Sequence, residues 1–149
     1  MDKDSQAILS MINEAPNIIF FAHRKASFET GKWIFDKDKK AVCTGEKLAE
    51  AGFHNTSTRA DPSAATCAFC LKEMLFDSTD DPWEEHKKHC PSCYFVGFNK
   101  RDENKLTVEE FFRLIAYRKS GLLGEQMDKM ISDFSRAAKY VTETMKLPS

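Results

Sequence analysis

Cys67-Ala-Phe-Cys70, His86 and Cys93 are the residues whose types and spacing can do chemistry here, and that chemistry is metal coordination. Two cysteines separated by two residues form a tight knuckle that aims both thiolates at one ion, and a distant His/Cys pair completes the tetrahedron that Zn2+ prefers. Three Cys and one His fill all four positions. The set therefore reads as one structural Zn2+, with no place for the water or substrate that a catalytic zinc carries. Spacing admits a second solution, because Cys90-Pro-Ser-Cys93 is another C-x2-C pair and would form a four-cysteine ribbon with Cys67 and Cys70. In a helix over 82–90, His86 and Cys90 lie one turn apart on the same face, so spacing alone leaves both ligand sets open. Unligated buried thiols are disfavoured, since two such pairs rarely arise by chance in one small domain. No glutamate is placed as a general base beside a metal-bound water, so a zinc hydrolase is not expected and the chain reads as a non-enzyme.

The elements that must present these ligands are legible in the surrounding pattern. Strands are expected on either side of a polar loop over 55–65, the second covering 66–69, so that the knuckle lies at a strand end. Asp81-Pro82-Trp83-Glu84 combines an acidic N-cap, proline at N1 and glutamate at N3, a helix start that carries His86 one turn in. Upstream, residues 5–14 suit a short helix, and Pro16 opens a second one that turns Ile18, Phe21 and Phe28 toward a core. Thr44 is the expected N-cap of a helix through Ala51, and Gly52 sits where a left-handed residue ends it.

Beyond Cys93 the aromatic run 94–98 leads into a polar connector, and Thr107-Val108-Glu109-Glu110 is another capping box. A long helix begins there. Met127, Met130, Phe134, Ala137, Val141 and Met145 recur on one face at nearly heptad spacing. Gly121 and Gly124 each cost about 1 kcal/mol against alanine in a helix, which predicts a kink or a break near 120–124. Unbroken, residues 107–146 would extend roughly 60 Å, further than a small domain is wide. Most of the apolar face then needs a partner chain; the alternative is a helix folded back at the glycines.

Composition narrows the function. The 149 residues carry a formal net charge of −1, which argues against a phosphate-backbone binder and so against direct nucleic-acid recognition. The opening Met1-Asp2-Lys3-Asp4 is unlike a secretory signal, and the apolar run 18–21 is too short to span a bilayer, so no membrane role is expected. Five cysteines, an odd number at metal spacing, suit a reducing intracellular compartment.

Taken together, Arg24, Ser27-Phe28, Trp33, the stretch 48–53, Cys67-x2-Cys70, the stretch 80–89 and Cys93 resemble the baculoviral inhibitor-of-apoptosis repeat (BIR), in its single-repeat, survivin-type form. The match covers 18–145. It implies an α+β fold: short helices around a three-stranded antiparallel sheet in a zinc domain, followed by a long C-terminal α-helix. The expected layout is an N-terminal extension over 1–15, the BIR zinc domain over 16–98, a connector over 99–106 and the helix over 107–147. The ligands implied are Cys67, Cys70, His86 and Cys93, with Cys90 a bystander.

The resemblance further implies a non-enzymatic adaptor of the chromosomal passenger complex, at centromeres, spindle midzone and cytoplasm. Its helix would bundle with borealin-like and inner-centromere-protein-like helices, bringing Aurora kinase indirectly, through the seam Met127, Met130, Ile131, Phe134, Ala138, Val141 and Met145. The zinc domain would read the phosphorylated tail of histone three. Asp80 matches the residue that holds the peptide amine, Lys72 and His89 the phosphate-facing pair, and Met74 the apolar wall. Phe76 stands where a tryptophan would close the pocket, and Leu75 falls near an expected glutamate, for which Asp77 is the substitute. A homodimer is implied through Phe98, Leu106, Val108 and Phe111. The competing implication is an inhibitor of apoptosis that binds caspases or Ala-initiated peptides.

Overall fold

Side-chain caps decide where several helices begin. The Asp2 carboxylate accepts the Ser5 N–H at 2.7 Å, Thr44 Oγ1 accepts the Lys47 N–H at 3.2 Å, and Asp81 accepts the amides of Trp83 and Glu84 at 3.0 and 3.3 Å. Thr107 and Glu110 exchange bonds in a reciprocal box of 2.9 and 3.1 Å. In the computed structural model, which describes residues 2–144, these caps precede α1 (Lys3–Glu14), α3 (Gly45–Glu50), α4 (Pro82–His89) and α6 (Val108–Thr144). The remaining helices are α2 (Phe21–Thr30) and α5 (Tyr94–Phe98). Strands β1 (Phe53–Asn55), β2 (Ala64–Cys67) and β3 (Glu73–Leu75) form an antiparallel sheet in the order β1-β2-β3, with Phe53 opposite Cys67 and Ala65 opposite Met74. The fold is α+β, as expected.

The core lies between the sheet, α2, α3 and α4, built around Phe28, Trp33, Leu48, Phe53, Phe69 and Phe95. Gly52 has φ of 94° and an added Cβ there would lie 2.9 Å from the Phe95 ring, so the turn into β1 requires glycine twice over. Arg24 is buried in this core. Its Nε donates to the Ala49 carbonyl at 2.9 Å and its Nη1 to those of Ile19 and Ile18 at 2.8 and 3.3 Å, while the guanidinium lies over Phe69 and Phe95. Burial pulls its pKa down to about 10, which still leaves it charged at neutral pH. Arg24→Met would leave the buried carbonyls of Ala49 and Ile19 and the part-buried one of Ile18 without that donor. The expected loss is about 2–3 kcal/mol, read as a lower denaturant midpoint with zinc in excess; an unchanged midpoint would mean water replaces the guanidinium without cost.

Several local expectations are corrected. Pro16 opens only a 3₁₀ turn, Asn17–Ile19; Phe20 is extended, and α2 starts afresh at Phe21, whose amide is capped by the Glu103 carboxylate at 3.1 Å. Strand β2 begins two residues earlier than expected and ends at Cys67, because Ala64 and Ala65 are the buried pair and Phe69 belongs to the knuckle turn. The connector carries a 3₁₀ turn, Glu103–Lys105.

The break near 120–124 does not occur. Helix α6 runs unbroken for 37 residues, about 55 Å, and only Leu114 and Ile115 near its start are buried. Met11, Ala15 and Pro16 face Ile115 and Leu122 across a shallow groove, and Glu14 pairs with Lys119 at 3.8 Å. From residue 119 onward every described residue is exposed, so the helix does not fold back on its domain. Met127, Met130, Ile131, Phe134, Ala138 and Val141 all lie on this free stretch, Phe134 at 75% exposure; Met145 lies outside the described residues. Of the residues expected at a dimer surface, Val108 is 73% exposed, whereas Phe98, Leu106 and Phe111 pack partly on their own core, Phe111 stacking on Phe20 at 5.4 Å. No helix among the described residues is long and apolar enough to cross a membrane.

Candidate metal centre and peptide-binding face

Three elements converge to build the metal centre. Cys67 ends β2, Cys70 closes the turn that follows, His86 comes from the second turn of α4, and Cys93 immediately precedes α5. Their sulfur and nitrogen atoms all lie within 4.8 Å of one another, and Cys67, His86 and Cys93 are buried. The amides of Phe69 and Cys70 point at the Cys67 sulfur, at 3.3 and 3.4 Å, as donors to a thiolate. His86 Nδ1 lies 2.8 Å from the Ala51 carbonyl, which can only accept, so Nδ1 carries the proton and Nε2 faces the cysteines. Tetrahedral zinc with Zn–S of about 2.3 Å and Zn–N of about 2.0 Å requires an S···N separation of about 3.5 Å. Cys70 Sγ and His86 Nε2 are 3.6 Å apart.

Thiol electrostatics suit the same ligand. Hydrogen bonds with Cys67 and Cys70 pull Cys93 down to about 3, with burial opposing and the amides of Val96 and Phe95 assisting. Burial raises the Cys67 thiol well above its ordinary value, so its proton must be displaced when a metal binds. Cys90 is outside the cluster of four. It is half-buried, its amide closes α4 on the His86 carbonyl at 2.9 Å, and burial pushes its thiol up to about 11. Among the described residues no other such cluster of ligands occurs.

The residues expected to read a peptide are arranged along β3 and the start and end of α4. Lys72 Nζ donates to the His89 carbonyl at 3.1 Å, and His89 Nε2 lies 3.1 Å from the Glu85 carboxylate, which places Lys72 beside His89 on the surface. Asp80 accepts the Asp77 N–H at 2.8 Å in the turn before α4. That turn is pinned from outside, because the Ser78 carbonyl accepts from the amides of Val42 and Cys43. Asp80, Asp36, Asp81 and Asp77 add to burial in pushing the Cys43 thiol up to about 12, so the turn is electronegative. Met74 is half-buried on β3. Phe76 does not fit its expected role: at 3% exposure it packs edge-on against Phe53, 5.1 Å between ring centres, and Leu75 takes the outward position at 62%. Alternation along the chain leaving β3 puts one inside and the other out.

Sequence reasoning missed one arginine beside the knuckle. Arg118 of α6 donates from Nη1 to the Ala68 carbonyl at 2.7 Å, and its charge acts with that of Arg24, behind burial, to push His54 down to about 4. No local pattern flags Arg118, whose partner is 50 residues away.

The fold and the site together define a small α+β metal-site module, closed by three cysteines and a histidine, with a long helix projecting from it. The Inhibitor of Apoptosis domain, BIR, matches residues 24–97, and the chain belongs to this family. Baculoviral IAP repeat-containing protein 5 of Mus musculus is 35% identical over 125 residues, covering 83% of this chain and 86% of that protein. Baculoviral IAP repeat-containing protein bir-2 of Caenorhabditis elegans is 38% identical over 133 residues, covering 85% of this chain but 42% of its own length. Chromosomal passenger complex protein bir-1, also of Caenorhabditis elegans, is 40% identical over 95 residues, or 64% of this chain and 57% of that protein.

Proposed function

We propose that this chain is a non-enzymatic adaptor of a chromosomal passenger complex, acting on chromosomes and centromeres. The observation that carries the reading is the apolar stripe of α6, which leaves the domain uncovered and so calls for other helices. The name of the relative bir-1 supports it. Borealin-like and inner-centromere-protein-like helices are the proposed occupants, with Aurora kinase recruited through them. One Zn2+ held by Cys67, Cys70, His86 and Cys93 is proposed to act structurally; its chemistry is to cross-link β2, α4 and the start of α5.

The domain itself is proposed to read the phosphorylated tail of histone three. A free amine needs carboxylates and a phosphate needs cationic donors, and the Asp77–Asp80 turn and the Lys72/His89 pair supply these. With Phe76 turned inward, Met74 and the exposed Leu75 are left as the apolar wall. The test is calorimetry with two short Ala-initiated peptides, one phosphorylated on its third residue, a threonine. About tenfold tighter binding of the phosphorylated form is expected from one charge-assisted bond, and Lys72→Ala should abolish the difference. Equal affinities would remove histone-tail reading and favour the amine groove of an apoptosis inhibitor.

A further inference from the structure

We infer that Arg118, Gly121 and Leu71 lock the base of α6 onto the metal knuckle, so that metal loading and the docking of the projecting helix are one coupled equilibrium. The first contact is polar: Arg118 Nη1 bonds the Ala68 carbonyl inside the knuckle at 2.7 Å, while its Nε is buried without a hydrogen-bond partner. A loaded centre of one Zn2+ and three thiolates carries net negative charge, and a partly desolvated guanidinium beside it is the matching cation. The second contact is steric. Leu71 directly follows Cys70, donates its amide to the Cys67 carbonyl at 3.1 Å and has φ of 66°, a backbone region that a branched side chain rarely adopts. From there its side chain lies over Gly121, where an added Cβ would meet Leu71 Cδ1 at 3.2 Å. Gly124, three residues on, has nothing within 4 Å, so only one of the two glycines is closely packed. A third contact reaches the other half of the ligand set: Tyr117 stacks on Tyr94, next to Cys93, at 4.3 Å and 10°.

Helical neighbours 117, 118 and 121 thus touch the chain beside Cys67, Cys70 and Cys93. Because coupling between two equilibria is reciprocal, loosening the helix base must weaken zinc, and removing zinc must loosen the helix base. The inference rests on the zinc reading and not on the identity of any partner. The experiment uses the full chain as wild type, Gly121→Val, Gly124→Val and Arg118→Gln. Zinc affinity is read by chelator competition, and hydrogen exchange is followed over 112–122 and 53–67. Both glycine variants carry the same change in intrinsic helix propensity, but only one collides with Leu71. Gly121→Val and Arg118→Gln should weaken zinc about tenfold and speed exchange over 112–122, with 53–67 still protected in the loaded protein, whereas Gly124→Val should match wild type. Should Gly121→Val fail to fold, Arg118→Gln is compared with Arg113→Gln, whose arginine is exposed on the same helix and pairs with Glu109. One zinc per wild-type chain with equal affinities across the variants overturns this inference alone; a wild-type chain that takes up no zinc overturns it together with the zinc reading.

Discussion

His86→Ala is expected to lose zinc and unfold residues 16–98, with the emission of Trp33 and Trp83 moving to the red as both buried indoles meet water. The size of the effect follows from comparing two magnitudes. Structural zinc contributes an apparent ~10–16 kcal/mol at neutral pH, against a total stability of about 5–15 kcal/mol for a domain. Without the metal the folded state loses its margin. Cys90→Ser should retain one zinc and keep both indoles buried, because that sulfur stands outside the four-atom cluster. Retention by the histidine variant and loss by the serine variant would assign the four-cysteine ribbon instead. Zinc affinity should also fall with pH. In the metal-free fold Cys67 holds its proton more firmly than an ordinary thiol, and zinc must expel it, so binding strengthens as pH rises below that raised pKa. Between pH 8 and 6 a metal buffer should register at least about tenfold weakening per unit, and a flat profile would mean that no proton is displaced.

Phe134→Glu is expected to release the partner helices while leaving the zinc domain intact. The ring sits mid-stripe, with Met130, Ile131 and Ala138 one turn to either side, and a bundle would bury it completely. Exchanging it for a carboxylate removes that burial and places an unpaired charge among apolar neighbours, together about 4 kcal/mol or roughly a thousandfold in affinity. Zinc content and the emission of Trp33 and Trp83 should not change, because residue 134 is about 18 Å along the helix from Leu122, which faces the groove beside Met11. Co-purification of borealin-like and inner-centromere-protein-like chains with the variant at wild-type levels would remove the bundle. Methionines at 127 and 130 lend the stripe the adaptability that suits more than one partner.

What the sequence by itself determined were features whose partners lie within about four residues. The caps at Thr44, Asp81 and Thr107 are of this kind, as are the glycine turn at position 52 and the C-x2-C knuckle. The same holds for the apolar repeat of α6, because helical periodicity is a property of the chain. The tertiary structure alone decided the rest. Spacing puts His86 and Cys90 one turn apart; what singles out the histidine ring in the fold is the Ala51 carbonyl, 35 residues away, which holds Nε2 toward the sulfurs. The start of α2 depends on Glu103, 82 residues from the amide that it caps. Phe76 faces inward because Phe53 on the far strand is there to receive it. Intrinsic propensity predicts a fault in α6 at Gly121, but Leu71 and the Ala68 carbonyl make that position a packing site, and tertiary contact overrides a cost of about 1 kcal/mol. Local hydrogen bonds are written in neighbouring residue types, whereas long-range contacts exist only once packing has brought distant segments together.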